Sequence, residues 1–295
     1  MTGLLRADLI RLRARLDLWI VALAVPLMST LGFIRGYFDA PSHYQFDPSQ
    51  PGAQEILALI AAEQGHYAFP YSVITNLESV PWALVAVFFL VSMTIGGEYG
   101  WGTIRTSFLA STDRHRFLAS RSIAMAVIAV AVMAALLALA IVLPAFLSVT
   151  GNVLPPSITI SAGDVAVAIV ARLVVVAFVV ALGSLLAVAT RNPAFPLLFA
   201  LVYFIAESYL ANSSFFRDAD GPTWAAHLLP FQSVAGLLGD TLRAIAPGDS
   251  QLGGQVDQFG ATAWPVWLSF VVVGAWSAAF YAVADRVLGR SDITE

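Results

Sequence analysis

Three groups of residues in this chain are of a type and spacing to do chemistry. The first is the polar run Gly96-Gly97-Glu98-Tyr99-Gly100-Trp101-Gly102-Thr103-Ile104-Arg105, continuing through Ser111, Thr112 and Asp113 to Arg114, His115 and Arg116. It separates two apolar stretches. Its glycines permit a sharp backbone bend, and Thr103 to Ala110 suits a short helix with Ile104, Phe108 and Leu109 along one side. Asp113 or Ser111 is placed to cap the helix that follows. A short amphipathic helix projecting from a loop suits docking to a partner; an ordinary basic loop that anchors headgroups fits the same residues. The second group is Arg172 and Glu207, charges inside otherwise apolar stretches. The third is aromatic: Phe88, Phe89, Phe199 and Tyr203, which read first as packing residues and second as the lining of a cavity for an amphipathic substrate.

Catalytic and metal chemistry find little support. There is no cysteine, which excludes disulfides, thiolate metal sites and a cysteine nucleophile. His43, His66, His115 and His227 form no HxxxH or HExxH pair. There is no lysine, so no Walker A loop, whose lysine reaches the terminal phosphates. Leu252-Gly253-Gly254-Gln255 is similar to a nucleotide-cassette signature but has no companion motif and reads as a flexible turn. No paired aspartates or Ser/His set within the apolar stretches points to an intramembrane enzyme. The chain is read as binding no metal or cofactor and having no active site of its own.

The elements that position these groups are helices in lipid. Of the 295 residues, 59% are hydrophobic and 12% charged, against 45–50% and about 25% in soluble domains. That excess must face hydrocarbon. The fold class read here is all-α: a polytopic membrane protein with one transmembrane domain over 1–295. Leu5, Leu9, Leu12 and Leu16 form a stripe with Arg6, Arg13 and Arg15 off it, predicting an interfacial amphipathic helix over 3–16. Six spans are predicted at 18–36, 78–96, 121–147, 165–190, 194–211 and 263–284, with external segments 37–77, 148–164 and 212–262. The external segments are expected to carry short helices, one from Ala53 to Gln64 after the Pro51-Gly52 turn, and one or two between Trp224 and Ile245.

With the N-terminus inside, Arg6, Arg11, Arg13, Arg15, Arg105, Arg114, Arg116, Arg191, Arg286 and Arg290 fall on the cytoplasmic side, while the external segments hold only Arg217 and Arg243. The positive-inside rule then places both termini in the cytoplasm. Arg172 lies about eight residues into the fourth span, roughly 12 Å deep. An unpaired arginine there costs several kcal/mol, so a structural pair with Glu207 is expected, with Glu78 as a second possible partner.

The run from Glu98 to Arg105, then Ala110 to Arg114 with Arg116, Phe117 and Arg121, resembles the coupling-helix region of type-2 permeases of ATP-binding-cassette exporters. Motif-level similarity is confined to about 98–121; the rest is a likeness of layout. Glu98, Gly102, Thr103, Arg105 and Arg114 match the motif, and Arg121 stands where a lysine is common, keeping the charge but not the shape. The resemblance implies a cytoplasmic coupling helix between spans two and three, with Ile104, Phe108 and Leu109 on it. It also implies a separate cytoplasmic ATPase subunit that binds ATP and Mg, a second permease, self or related, and a bacterial plasma-membrane location. An ion-driven secondary transporter and a non-transporting scaffold or sensor partner of an ATPase are the alternatives.

Overall fold

The computed structural model describes residues 2–39, 52–65, 67–68, 72–73, 80–100, 102–104, 113–149, 161–213, 215, 223–245 and 264–290. Among them there is no strand. The helices are α1 Thr2–Arg13, α2 Leu16–Asp39, α3 Ala53–Gly65, α4 Val80–Gly100, α5 Arg114–Val149, α6 Ala162–Thr190, α7 Phe195–Ala211, α8 Pro230–Ile245 and α9 Val266–Arg290. A 3-10 helix, Thr223–Leu228, precedes α8.

The chain is a membrane protein by the length and composition of its helices. Leu18–Asp39, Arg114–Leu147, Ala162–Thr190 and Val266–Arg290 are long and apolar enough to cross a bilayer, while Leu84–Gly100 and Phe195–Ala211 are apolar but shorter. α6 is the hub. It packs most extensively against α9 and α4, and also meets α5, α8 and α7. Val175, Phe178, Val180 and Leu182 on α6 join Val87, Phe88 and Val91 of α4 and Val273 of α9 in one buried cluster. Where α4 crosses α6, a Cβ on Gly183 would stand 2.9 Å from Val91 Cγ1, so the missing side chain is what lets the two backbones approach.

Local signals explain most boundaries. Ser161 and Asp164 form a capping box at the start of α6. At its end Arg191 adopts φ 53°, and its N–H bonds the Ala187 carbonyl. The α3 helix follows Gly52 at φ +97°, whose carbonyl accepts from the N–H groups of Glu55 and Ile56. Two boundaries differ from expectation. The leucine stripe at 3–16 is cut short: α1 ends at Arg13, the chain turns at Ala14 and Arg15, and Leu16 opens α2 with 73% of its surface exposed. The turn is pinned by Trp19, whose indole N–H donates to the Arg13 carbonyl at 2.8 Å, so that one orphan carbonyl at the helix end is satisfied.

The second difference is α8. Residues 212–262 read as external, yet α8 is packed between α6, α9 and α7. The Phe231 ring lies 6.0 Å from Phe178, midway along α6, and Trp276, midway along α9, donates its indole N–H to the Leu228 carbonyl at 2.8 Å. The first turn of α8 is therefore level with the middle of two spanning helices. A helix with Ser233, Asp240 and Thr241 on its buried face is tolerated there because those groups have partners: Ser233 and Thr241 hydroxyls donate to Pro230 and Leu237 carbonyls, and Asp240 binds the start of α9.

Candidate functional site

The arginine-rich end of the molecule brings three elements to one point. Asp8 of α1, Glu98 near the end of α4 and Arg121 in the first turns of α5 are all buried, with Arg121 2% exposed. Arg121 Nη1 lies 2.9 Å from Asp8 Oδ1, and its Nη2 meets Glu98 Oε1. The Ser120 hydroxyl donates to Asp8 Oδ2 at 2.5 Å, and the Arg121 guanidinium sits over the Phe117 ring at 5.4 Å from its centre. Charges taken out of water are costly unless paired and hydrogen-bonded. Here the planar fork of arginine serves two carboxylates at once, a geometry lysine does not offer.

α4 runs on past Gly96, Gly97 and Glu98 to Gly100, so the bend that the glycines were expected to allow comes only after the helix ends. Gly96 serves a close approach instead. A Cβ there would lie 2.7 Å from the Asn192 carbonyl oxygen and 2.9 Å from Pro193 Cα, and a Cβ on Gly100 would lie 3.5 Å from Pro193 Cδ. The α6–α7 turn is thus seated directly on α4. The sharp change of direction falls at Gly102, with φ +67° and its N–H on the Tyr99 carbonyl, a conformation that glycine adopts without steric cost. Thr103 donates its hydroxyl to the Glu98 carbonyl at 3.4 Å, and Ile104 is 5% exposed. Arg105, Phe108 and Leu109 lie outside the described residues, as does Ser111.

The start of α5 makes the second half of this corner. Asp113 caps it: Oδ1 accepts from the N–H groups of His115 at 3.0 Å and Arg116 at 3.3 Å, and Oδ2 lies 3.0 Å from Arg116 Nε. Arg114 donates to the carbonyls of Leu288 at 3.3 Å and Gly289 at 3.2 Å, so it occupies the C-terminal carbonyls of α9. His115 Nδ1 lies 2.5 Å from Asp285 Oδ1. α5 has 36 residues, about 54 Å of helix against a core of roughly 30 Å, so its first turn stands clear of hydrocarbon. There the Asp285 carboxylate, by hydrogen bond and by charge, raises the His115 pKa above 6.5.

The expected Arg172–Glu207 pair does not form. Glu207 Oε1 accepts the Gln232 backbone N–H at 2.6 Å, in the first turn of α8. A helix N-terminus offers unbonded N–H groups and a partial positive charge, and Pro230 opens α8 with no N–H of its own to satisfy. The carboxylate therefore found backbone donors rather than the guanidinium. Arg172 is buried in α6 at 1% exposure, and Glu78 lies outside the described residues. The aromatic group is not gathered either. Phe88 is spent in the α4–α6 core, while Phe199 and Tyr203 are 54% and 46% exposed on α7; Phe89 is half-buried.

Sequence reasoning missed two sites. Neither Asp8 nor Asp240 was singled out from the sequence, yet both tie helices together. Asp240 accepts from the Ser269 hydroxyl at 2.7 Å and the Trp264 N–H at 3.2 Å, holding α8 on α9. A lone aspartate on the apolar stripe of an arginine-rich helix was the available signal for Asp8. His227 is also buried, stacked on Trp264 at 4.8 Å.

Compared with protein-family models, curated proteins and solved structures, the chain matches none of them.

Proposed function

We propose that the chain is the permease subunit of an ATP-binding-cassette transporter, an exporter by its resemblance, powered by ATP and Mg bound to a separate cytoplasmic ATPase subunit. In this reading α2, α4, α5, α6, α7 and α9 are the six spans, both termini lie in the cytoplasm of a bacterial cell, and a second permease, self or related, completes the pathway. The observation that carries it is the Asp8–Arg121–Glu98 junction beside Gly102, Thr103 and Ile104. A partner pressing on the segment after α4 would move Glu98. Through Arg121 it would move α1 and α5 together, and through the contact of Gly96 with Asn192 and Pro193 it would move the α6–α7 turn. A docking loop that merely anchored headgroups would have no need of a buried three-helix ion cluster behind it.

The test is purification of the tagged protein from native membranes in mild detergent, with identification of what accompanies it and an ATPase assay. A cassette ATPase should co-purify with wild type and be lost with Thr103→Ala/Arg105→Glu, which alters the proposed docking segment and substitutes no member of the ion cluster. If wild type brings no ATPase from native membranes, the permease reading fails, and the ion-driven transporter or scaffold takes its place.

A further inference from the structure

A groove of about 390 Å³ runs along α1, lined by Leu5, Arg6, Leu9, Ile10 and Arg13. Positions 6, 10 and 13 share one helix face and 5 and 9 the adjoining one. Asp8 and Leu12 on the adjoining face are buried, and Leu5 and Leu9 pack partly against the core, so the groove lies along the flank of α1 whose outer edge is formed by the exposed Arg6, Ile10 and Arg13. Arg6 and Arg13 take part in no ion pair among the described residues. Asp8, the one acidic residue of α1, is held by Arg121 and Ser120 and cannot serve them. Ile10 is 63% exposed, and Leu16, Trp19 and Ile20 at the start of α2 are exposed at 73%, 46% and 59%.

These features together select a ligand. Two uncompensated guanidinium groups call for an anion, and the apolar floor between them calls for hydrocarbon next to that anion. A soluble anion would leave Ile10 and the exposed edges of Leu5 and Leu9 uncovered, and a zwitterionic lipid would leave the arginines without a net counter-charge. Seven residues of helix separate Arg6 from Arg13 by roughly 10 Å, within reach of two long side chains converging on one headgroup. We propose that this groove is a binding site for an anionic phospholipid, with its phosphate between Arg6 and Arg13 and an acyl chain over Leu5, Leu9 and Ile10. The site does not depend on the transport reading, since it rests on α1 alone.

The experiment uses the full chain, delipidated in detergent and offered equal amounts of phosphatidylglycerol and phosphatidylcholine with the same acyl chains, with retained lipid counted by native mass spectrometry. Wild type retains phosphatidylglycerol preferentially. Arg6→Gln and Arg13→Gln each lower the preference about fivefold, the effect of one basic residue at an anionic surface. Arg11→Gln, on the same helix but outside the groove, leaves it unchanged, and glycerol phosphate does not displace the lipid. Equal retention of the two lipids by wild type overturns the proposal. So does an Arg11→Gln loss as large as the others, which would mean diffuse attraction to a basic helix. Displacement by glycerol phosphate would make the site one for free phosphate and would overturn the lipid assignment.

Discussion

Arg121 is the residue on which the corner depends, because its one guanidinium serves both Asp8 and Glu98. Arg121→Leu takes that shared guanidinium away from two buried carboxylates, and breaking a buried pair from one side costs about 3–5 kcal/mol. The variant should unfold well below wild type in a thermal scan in detergent. Asp8→Asn keeps an acceptor for Ser120 and should lose clearly less. If both variants melt with wild type, water reaches the cluster and it is not the joint described. A second residue-scale expectation concerns His115. Its pKa is raised by Asp285, so the protonated pair adds stability fully below about pH 6.5, and that contribution is lost as pH rises through the higher folded value. Ring-proton shifts followed by NMR should give a titration midpoint above 6.5 in wild type and a lower one in Asp285→Asn. An unchanged midpoint would show that the carboxylate is not the cause.

At the scale of elements, two contacts between helices decide how the corner and the α7 region are held. The first is the seat of the α6–α7 turn on Gly96, where an added Cβ meets backbone at 2.7 Å that cannot swing aside. Gly96→Ala should therefore cost more than Gly274→Ala, whose Cβ meets nothing within 4 Å and which should be neutral or slightly stabilising because alanine is the better helix former; paired thermal melts compare them. The second is Glu207 on the N-terminus of α8. Apart from Pro196, it is the one buried residue of α7, and it joins α8 alongside the Tyr203 and Phe204 rings that pack on Phe231. Glu207→Leu should speed hydrogen exchange at the Gln232 amide, while Glu207→Gln should preserve most of its protection. The elements themselves were legible: apolar length marked the long helices, Gly52 marked the start of α3 and Asp113 the start of α5. What was not legible is pairing over long separations. Nothing local says that Asp8 meets Arg121, or that Glu207 prefers a backbone N–H of α8 to Arg172, because those choices follow from which helices become neighbours. The burial of α8 was hidden for the same reason. Its Ser233, Asp240 and Thr241 look solvated until each partner is seen.

At the scale of the whole molecule, the proposed six crossings turn on α7. With 17 residues it spans about 25 Å, short of a core of roughly 30 Å. Two features argue that it crosses. Arg191, before it, belongs with the other arginines at the end that carries Arg6, Arg114 and Arg290. And α8, after it, begins level with the middle of α6 and α9, and its Asp240 meets Trp264 at the opposite end of α9, so the chain reaches that end by way of α7 and α8. The absence of cysteine makes this directly measurable, since any introduced thiol is the only one. Gly3→Cys and Gly289→Cys should react with an impermeant maleimide only after the cells are opened. Glu55→Cys, on α3, and Gly163→Cys, at the start of α6, should react in intact cells. If Gly289→Cys labels in intact cells while Gly3→Cys does not, the two helices lie on opposite faces of the membrane, which the contacts of Arg121 with Asp8 and of Arg114 with the Leu288 and Gly289 carbonyls do not allow, and the shared corner of α1, α5 and α9 described above is wrong.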